Sequence, residues 1–420
     1  MNRHSTTSIP VHRLQRDSAS KRHLDQCRIR LLFIAFLMTI GYLLLTARLV
    51  DVTLIEGQSE DQQILADKGL APLPPAEVER GRIYDRNGEL LAVSLPSQTL
   101  YAKPRIVERF GREHAAQALA KIFPDMNKKE WMEKLDPRRS FIYLKHHITP
   151  SQVEAVYALG IPGLEFENSM RRIYPHGNLF SHTVGFTDVD GRGLSAIEKE
   201  MNDTLGEKGE DVTLSLDSRL QYILRDELMS GMKEFEAIGA VGAIMDIHNG
   251  EILALKSLPD FDPNDPGDAP ANARFNRAAA GVYEMGSTFK TFTTAMALHY
   301  KTSKLFDRYD VTKPIRVANF TIRDSHPENR WLTVPEIFML SSNIGTVRMI
   351  MEVGKDRQQS FLKELGLFDR VKLELPEVAQ PLVPHHWRDI NMMTISYGHG
   401  ISVTPLHLVQ AVGSLLGDGR

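Results

Sequence analysis

Ser287 and Lys290 stand three residues apart in Gly286-Ser287-Thr288-Phe289-Lys290. A helix starting at this point puts both side chains on one face, one turn apart. A serine hydroxyl is a poor nucleophile until a base takes its proton. A lysine amine is such a base when desolvation and nearby cations leave it neutral. The helix N-terminus also favours developing negative charge, and its backbone N–H groups can line an oxyanion site. Spacing alone is weak, because Ser-x-x-Lys also occurs at Ser18/Lys21, Ser230/Lys233 and Ser360/Lys363. Ser287 differs in context: Gly286 precedes it, Tyr283-Glu284 lies upstream, and a long apolar helical stretch follows. Serine at a helix start is, even so, more often an N-cap than a nucleophile. Further along, Ser341-Ser342-Asn343 is the one Ser-x-Asn triplet of the chain. It offers a hydroxyl for proton relay and an amide to hold a peptide, or else only a polar helix-capping turn.

These residues need a scaffold. At roughly 150 residues per domain, a chain of 420 residues has room for two or three. With 42% hydrophobic and 25% charged residues, the composition is that of a folded protein. Fifty Lys+Arg against 53 Asp+Glu give no support to nucleic-acid binding. A single cysteine, Cys27, excludes an internal disulfide framework and a Cys-based zinc site. Asn87-Gly88 and Asn249-Gly250 each sit between apolar runs, a strong hairpin signal because both residues tolerate positive φ. Helical segments are expected around 107–122 and 150–159. The alternation in Asp211–Asp217 predicts a strand, and residues 218–236 suit a helix. The texture changes near residue 205, which marks a domain boundary, with an α+β unit after it.

Together, Ser287/Lys290 and Ser341/Asn343 resemble the first two motifs of the penicillin-recognising serine enzymes, whose third is Lys-Thr-Gly. Tyr283–Lys290 is similar to the nucleophile region of class B penicillin-binding proteins, with Met285 where proline is common. Arg80–Ala92 resembles the first motif of their N-terminal pedestal. Arg172-Ile173-Tyr174-Pro175 through Gly193–Glu198 resembles later ones, with Ala196 where glycine is usual. Tyr397–Pro405 resembles the division-specific branch. The resemblance implies a linker and elongated pedestal (dimerisation) domain at 51–205 and a transpeptidase domain at 206–420 built on a central antiparallel sheet with helices. It implies that Ser287 attacks a D-alanyl-D-alanine stem peptide of peptidoglycan, that Lys290 is the base, that Ser341 shuttles a proton and that Asn343 holds the substrate. β-Lactams would acylate Ser287. Partners would be a SEDS-family glycosyltransferase and other division proteins, and no metal or organic cofactor is implied. No Lys-Thr-Gly or Lys-Ser-Gly occurs; Lys301-Thr302-Ser303 comes too soon after Lys290. The expectation is a catalytic domain truncated at its C-terminal part, whose alternative role is a non-catalytic division scaffold acting through anchor and pedestal.

Residues 31–47 carry no charge, and continuing to Val50 gives about twenty residues, enough to cross a bilayer core of roughly 30 Å. The preceding tail, 1–30, holds seven basic side chains against two acidic ones. The excess predicts an uncleaved transmembrane anchor at 31–50 with residues 51–420 outside the cytoplasm. A reporter that works only after export, fused after residue 60, should be active; an inactive fusion reverses the topology.

Overall fold

A computed structural model describes residues 36–43, 45, 46, 79–317 and 320–417. The chain divides into two units, Met1–Glu77 and Val78–Arg420. In the first, residues 36–43, 45 and 46 are helical, and Phe36, Met38, Tyr42 and Leu45 are exposed. Among the described residues no helix is long and apolar enough to cross a membrane. The tail 1–30, the rest of the expected span and residues 51–78 lie outside the described residues.

The second unit opens with the expected hairpin. Strands β1 (Ile83–Tyr84) and β2 (Leu90–Ala102) pair antiparallel, Ile83 opposite Ala92. The turn differs from the expected two-residue form. Only Gly88 has positive φ, at +83°, and the Asp85 carboxylate closes the loop by accepting the N–H groups of Asn87 and Glu89 at 2.7 and 2.9 Å. A side chain thus supplies what a second positive-φ residue would have supplied.

Helices α1 (Pro104–Phe110) and α2 (Arg112–Ile122) are separated by Gly111, φ +103°. Next come α3 (Lys128–Lys134), β3 (Ile142–Ile148), α4 (Pro150–Ala158) and β4 (Leu164–Ile173). Strand β2 is the spine: it pairs with β1 near its start, with β3 towards its end, and with β4 from Val93 to Ala102. Leu100, Ala102 and Leu144 on the sheet and Val107, Leu119, Trp131 and Val156 on the helices form one buried cluster. Strands β3 and β4 have mixed polarity on both faces, so their alternation is weak in the sequence.

Helix α5 (Ala196–Glu200) carries Glu198, which is fully buried. Its carboxylate accepts Arg80 Nε at 2.8 Å and Arg172 Nε at 2.7 Å, and the Tyr174 hydroxyl at 3.3 Å. The two pedestal stretches legible in the sequence are therefore the two ends of one buried ion cluster. Ala196 has φ +48°, a left-handed conformation that explains why glycine is usual there. Gly81 has a steric reason of its own: a Cβ would lie 1.9 Å from the Glu210 carbonyl oxygen.

The expected strand at 211–217 shrinks to β5 (Val212–Thr213), which runs parallel to β1 and ties the two halves together. Asp217 then caps α6 (Ser218–Glu234) by accepting the N–H of Arg219 at 2.9 Å. Strands β6 (Ala240–Met245) and β7 (Ile252–Leu258) form the second expected hairpin, again with one positive-φ residue, Gly250, and an aspartate, Asp246, accepting the N–H of His248. One cluster spans the two halves, with Ile83, Leu91 and Ile197 packed in the same core as Leu216, Leu255, Leu375 and Leu406. Removing one partner of a buried ion pair costs about 3–5 kcal/mol, whereas an exposed pair contributes about 0–1 kcal/mol. Glu198→Gln should therefore lower the melting temperature several times more than Glu165→Gln, which breaks the half-exposed pair with Lys103. Equal shifts would show that the Arg80–Glu198–Arg172 cluster is not a structural keystone.

Candidate active site

Ser287 sits in a 3₁₀ turn, Gly286–Phe289, that runs straight into α7 (Lys290–His299). Gly286 enters with φ +55° and donates its N–H to the Gly398 carbonyl at 3.2 Å. Phe289 and Phe292 are buried, ring edge to ring face at 5.2 Å, and fix the turn to the helical core. The expected helix start is present, with Ser287 exposed to solvent and Lys290 facing inward, 2% exposed. The other Ser-x-x-Lys pairs are unlike it: Ser230, Lys233, Ser360 and Lys363 are all exposed, and Ser18/Lys21 lies outside the described residues. Lys301-Thr302-Ser303 forms the turn that ends α7, with the Thr302 hydroxyl donating to the Ala297 carbonyl.

Lys290 meets Ser287 through a third residue. Lys290 Nζ donates to the Ser341 carbonyl at 2.5 Å and to Ser341 Oγ at 2.9 Å. Ser341 Oγ in turn donates to Ser287 Oγ at 3.1 Å. Ser341 follows α8 (Val334–Met339) and adopts φ +54°, a left-handed conformation costly for a serine. Its successor Ser342 is the N-cap of α9 (Asn343–Val353), its Oγ accepting the Gly345 N–H at 3.0 Å. The expected capping turn and the Ser-x-Asn triplet are thus the same object. Asn343 Nδ2 donates to the Arg323 carbonyl at 2.9 Å.

Burial lowers the Lys290 pKa from 10.5 to about 8, with the Asp324 carboxylate working against the shift. At pH 7 this raises the neutral fraction by about 300-fold. The far wall is the loop after α11 (Asp389–Ser396), where α10 (Lys355–Glu364) precedes it in the helical core. Tyr283 and Val403 exchange backbone hydrogen bonds at 2.9 and 3.0 Å, and Glu284 accepts the Gly400 N–H at 2.7 Å and bonds His399 Nδ1 at 3.2 Å. Those contacts hold the Glu284 carboxyl below its usual range. The cleft has a volume of about 240 Å³ and brings together all four sequence-predicted residues, Ser287, Lys290, Ser341 and Asn343. It also includes Ser325, His326, Tyr397 and His399, to which sequence reading assigned no role. Tyr397 and His399 lie in a block noted for its resemblance alone; Ser325 and His326 carry no local signal. Among the described residues no cluster of three or more ligand-type side chains fits a metal ion.

An exposed hydroxyl, a buried amine of lowered pKa and a hydroxyl bridging them are the parts of an acyl-transfer site. Residues 240–420 match the penicillin-binding protein transpeptidase domain, and residues 75–221 the penicillin-binding protein dimerisation domain. A probable peptidoglycan D,D-transpeptidase FtsI of Caulobacter vibrioides is 37% identical over 97% of this chain and 68% of its own length. A probable peptidoglycan D,D-transpeptidase PenA of Neisseria gonorrhoeae is 33% identical over 81% of this chain and 63% of its own. The peptidoglycan D,D-transpeptidase FtsI of Escherichia coli is 28% identical over 80% and 62%. The chain therefore spans about two thirds of the length of these relatives. A peptidoglycan synthetase structure from Bifidobacterium adolescentis shares the fold, with a TM-score of 0.59 at 22% identity, over 81% of this chain and 72% of that one. The chain belongs to the penicillin-binding protein family of peptidoglycan D,D-transpeptidases, with a mixed α+β architecture that joins a dimerisation domain to a transpeptidase domain.

Proposed function

We propose that this chain cross-links peptidoglycan stem peptides through a serine acyl-enzyme, with Ser287 as nucleophile, Lys290 as general base, Ser341 as proton relay and Asn343 as the amide that holds the substrate. The observation that carries this is the continuous hydrogen-bonded path Lys290–Ser341–Ser287. With Lys290 neutral the hydroxyl rotors reverse, so the Ser287 proton passes towards the amine. Ser287 Oγ bonds to the penultimate D-alanine carbonyl carbon, the C–N bond to the terminal D-alanine breaks, and Ser341 delivers the proton to that leaving amine. An amine from a second stem then attacks the ester, the new amide forms, and Ser287 Oγ takes back a proton. The Ser287 N–H, at the start of the turn, supplies one oxyanion donor. β-Lactams enter the first half of this sequence as substrate mimics.

The finer reading is septal synthesis at the outer face of a cytoplasmic membrane, with 31–50 as a single anchor, 51–205 as pedestal, 206–420 as transpeptidase domain, and a SEDS-family glycosyltransferase and other division proteins as partners. The basic tail, the apolar run after it and relatives named FtsI support it. The alternative of a non-catalytic scaffold is not favoured beside relatives named as transpeptidases.

In the full-length protein, Ser287→Ala should abolish labelling by fluorescent penicillin, while alanine at Ser18, Ser230 or Ser360 leaves it intact. Persistent labelling of the Ser287→Ala protein removes Ser287 as nucleophile. The acylation rate should also follow the Lys290 charge. Below about pH 8 the side chain is an ammonium and cannot accept a proton, so the rate should fall roughly tenfold per pH unit there and level off above. A flat profile from pH 6 to 9 would rule out Lys290 as the base.

A further inference from the structure

Ser341 owes its left-handed conformation to the end of α8, where its N–H bonds the Phe338 carbonyl at 3.2 Å and the Ser342 N–H bonds the Ile337 carbonyl at 3.0 Å. What holds the residues after it is the loop that follows β10 (Phe320–Ile322), which pairs with β9 (Ile315–Val317); β8 (Arg308–Asp310) lies upstream. There, Asp324 is half-buried and uses both carboxylate oxygens. Oδ2 accepts the Ser342 hydroxyl at 2.7 Å and Oδ1 accepts the Ile344 N–H at 2.9 Å. The Ile344 N–H is one of the donors that a helix start leaves unsatisfied, and a carboxylate is favoured there by the helix dipole. Ser342 Oγ, held by Asp324, in turn caps the Gly345 N–H. One residue earlier on the same loop, the Arg323 carbonyl fixes the Asn343 amide. Both residues flanking Ser341 on its C-terminal side are thereby clamped to this loop, and Ser341 is left with the geometry that meets Lys290 and Ser287 at once.

Resting on the acyl-transfer reading above, we propose that Asp324 is a positioning residue for the reaction, clamping the start of α9 so that Ser341 stays in hydrogen-bond reach of both Ser287 and Lys290. The same carboxylate has a second consequence. Its negative charge favours the ammonium form of Lys290 against the burial that disfavours it. The other titratable groups at this cleft are His326, on the Asp324 loop, and Tyr397 and His399 on the opposite wall, with Glu284 bonded to His399. They are common to wild type and variants, so a change in the pH profile reports Asp324.

The two contributions separate in two variants. Asp324→Asn keeps an acceptor for the Ile344 N–H and a polar partner for Ser342, but removes the charge. Asp324→Ala removes both. In the full-length protein, Asp324→Ala should slow penicillin acylation at saturating penicillin by about 10–100-fold, the scale of an ångström-sized displacement of a reacting group. Asp324→Asn should recover most of the rate on the high-pH plateau. Its acidic limb should move to lower pH, raising the ratio of rates at pH 7 and pH 9 by at least about twofold. A carboxylate that only stabilised the fold would lower the melting temperature without moving that limb. Wild-type acylation by Asp324→Ala, or an unmoved limb in a folded Asp324→Asn protein, overturns the proposal. Should Ser287→Ala still label, the acyl-transfer reading itself falls; should it not label while both Asp324 variants behave as wild type, this inference falls alone.

Discussion

A lysine buried without a carboxylate in hydrogen-bond reach is the constraint around which this site is organised. Lys290 has lost most of its water, and its partners are a carbonyl and a hydroxyl of the same residue, Ser341. Neutral acceptors stabilise an ammonium less than an ion pair does, so burial prevails and the pKa falls to about 8. A carboxylate in that place would work against the burial, as Asp324 does. Ser341 presents both of its acceptors from a conformation serine avoids.

The contrast with the pedestal is instructive. Glu198 is more deeply buried than Lys290, yet it faces two guanidinium groups and a phenol. There, charge is matched by charge, and the result is a rigid joint between sequence stretches far apart. Buried ionisable groups are held in two ways in one chain: by ion pairs at the joint of the scaffold, and by neutral acceptors at Lys290. The shared core of Ile83, Leu91, Ile197, Leu255 and Leu375 lets the two halves fold against each other.

Much of this was legible in the residue order. Both hairpins, α6, the helices near 107–122 and 150–159, and the convergence of Ser287, Lys290, Ser341 and Asn343 follow from local patterns and motif order. What escaped depends on contacts between distant residues. The hairpin turns use Asp85 and Asp246 side chains instead of a second positive-φ residue, and nothing in Asn-Gly signals that. Strands β3 and β4 lack clean alternation, because their polar residues pair across strands, as Tyr101 with Glu165 and Tyr143 with Glu167. The strand expected at 211–217 stops at two residues because its partner β1 has only two, although Leu214 and Leu216 still bond Tyr84 and Arg86. Asp324 is invisible locally: its partners are Ser342 and Ile344, and only folding brings them together.

The wall opposite Ser341 shows how Ser287 is kept in register with the rest. The loop at 397–403 is stitched to 283–286 by the Tyr283–Val403 pair, the Glu284 contacts and the Gly286–Gly398 bond. Gly398 lies so close that a Cβ would come within 1.9 Å of the Gly286 carbonyl oxygen. Just beyond, Thr404 caps α12 (Pro405–Leu416) by accepting the His407 N–H. Ile401 and Val403 belong to the helical core beneath Ser287, and Leu406, three residues after Val403, belongs to the core shared with the pedestal. The loop is therefore pinned in both cores, and any displacement of the Ser287 turn must break backbone hydrogen bonds and unpack apolar side chains together. Close packing makes such a junction switch between discrete arrangements instead of drifting. That stiffness holds the Ser287 hydroxyl 3.1 Å from Ser341 Oγ.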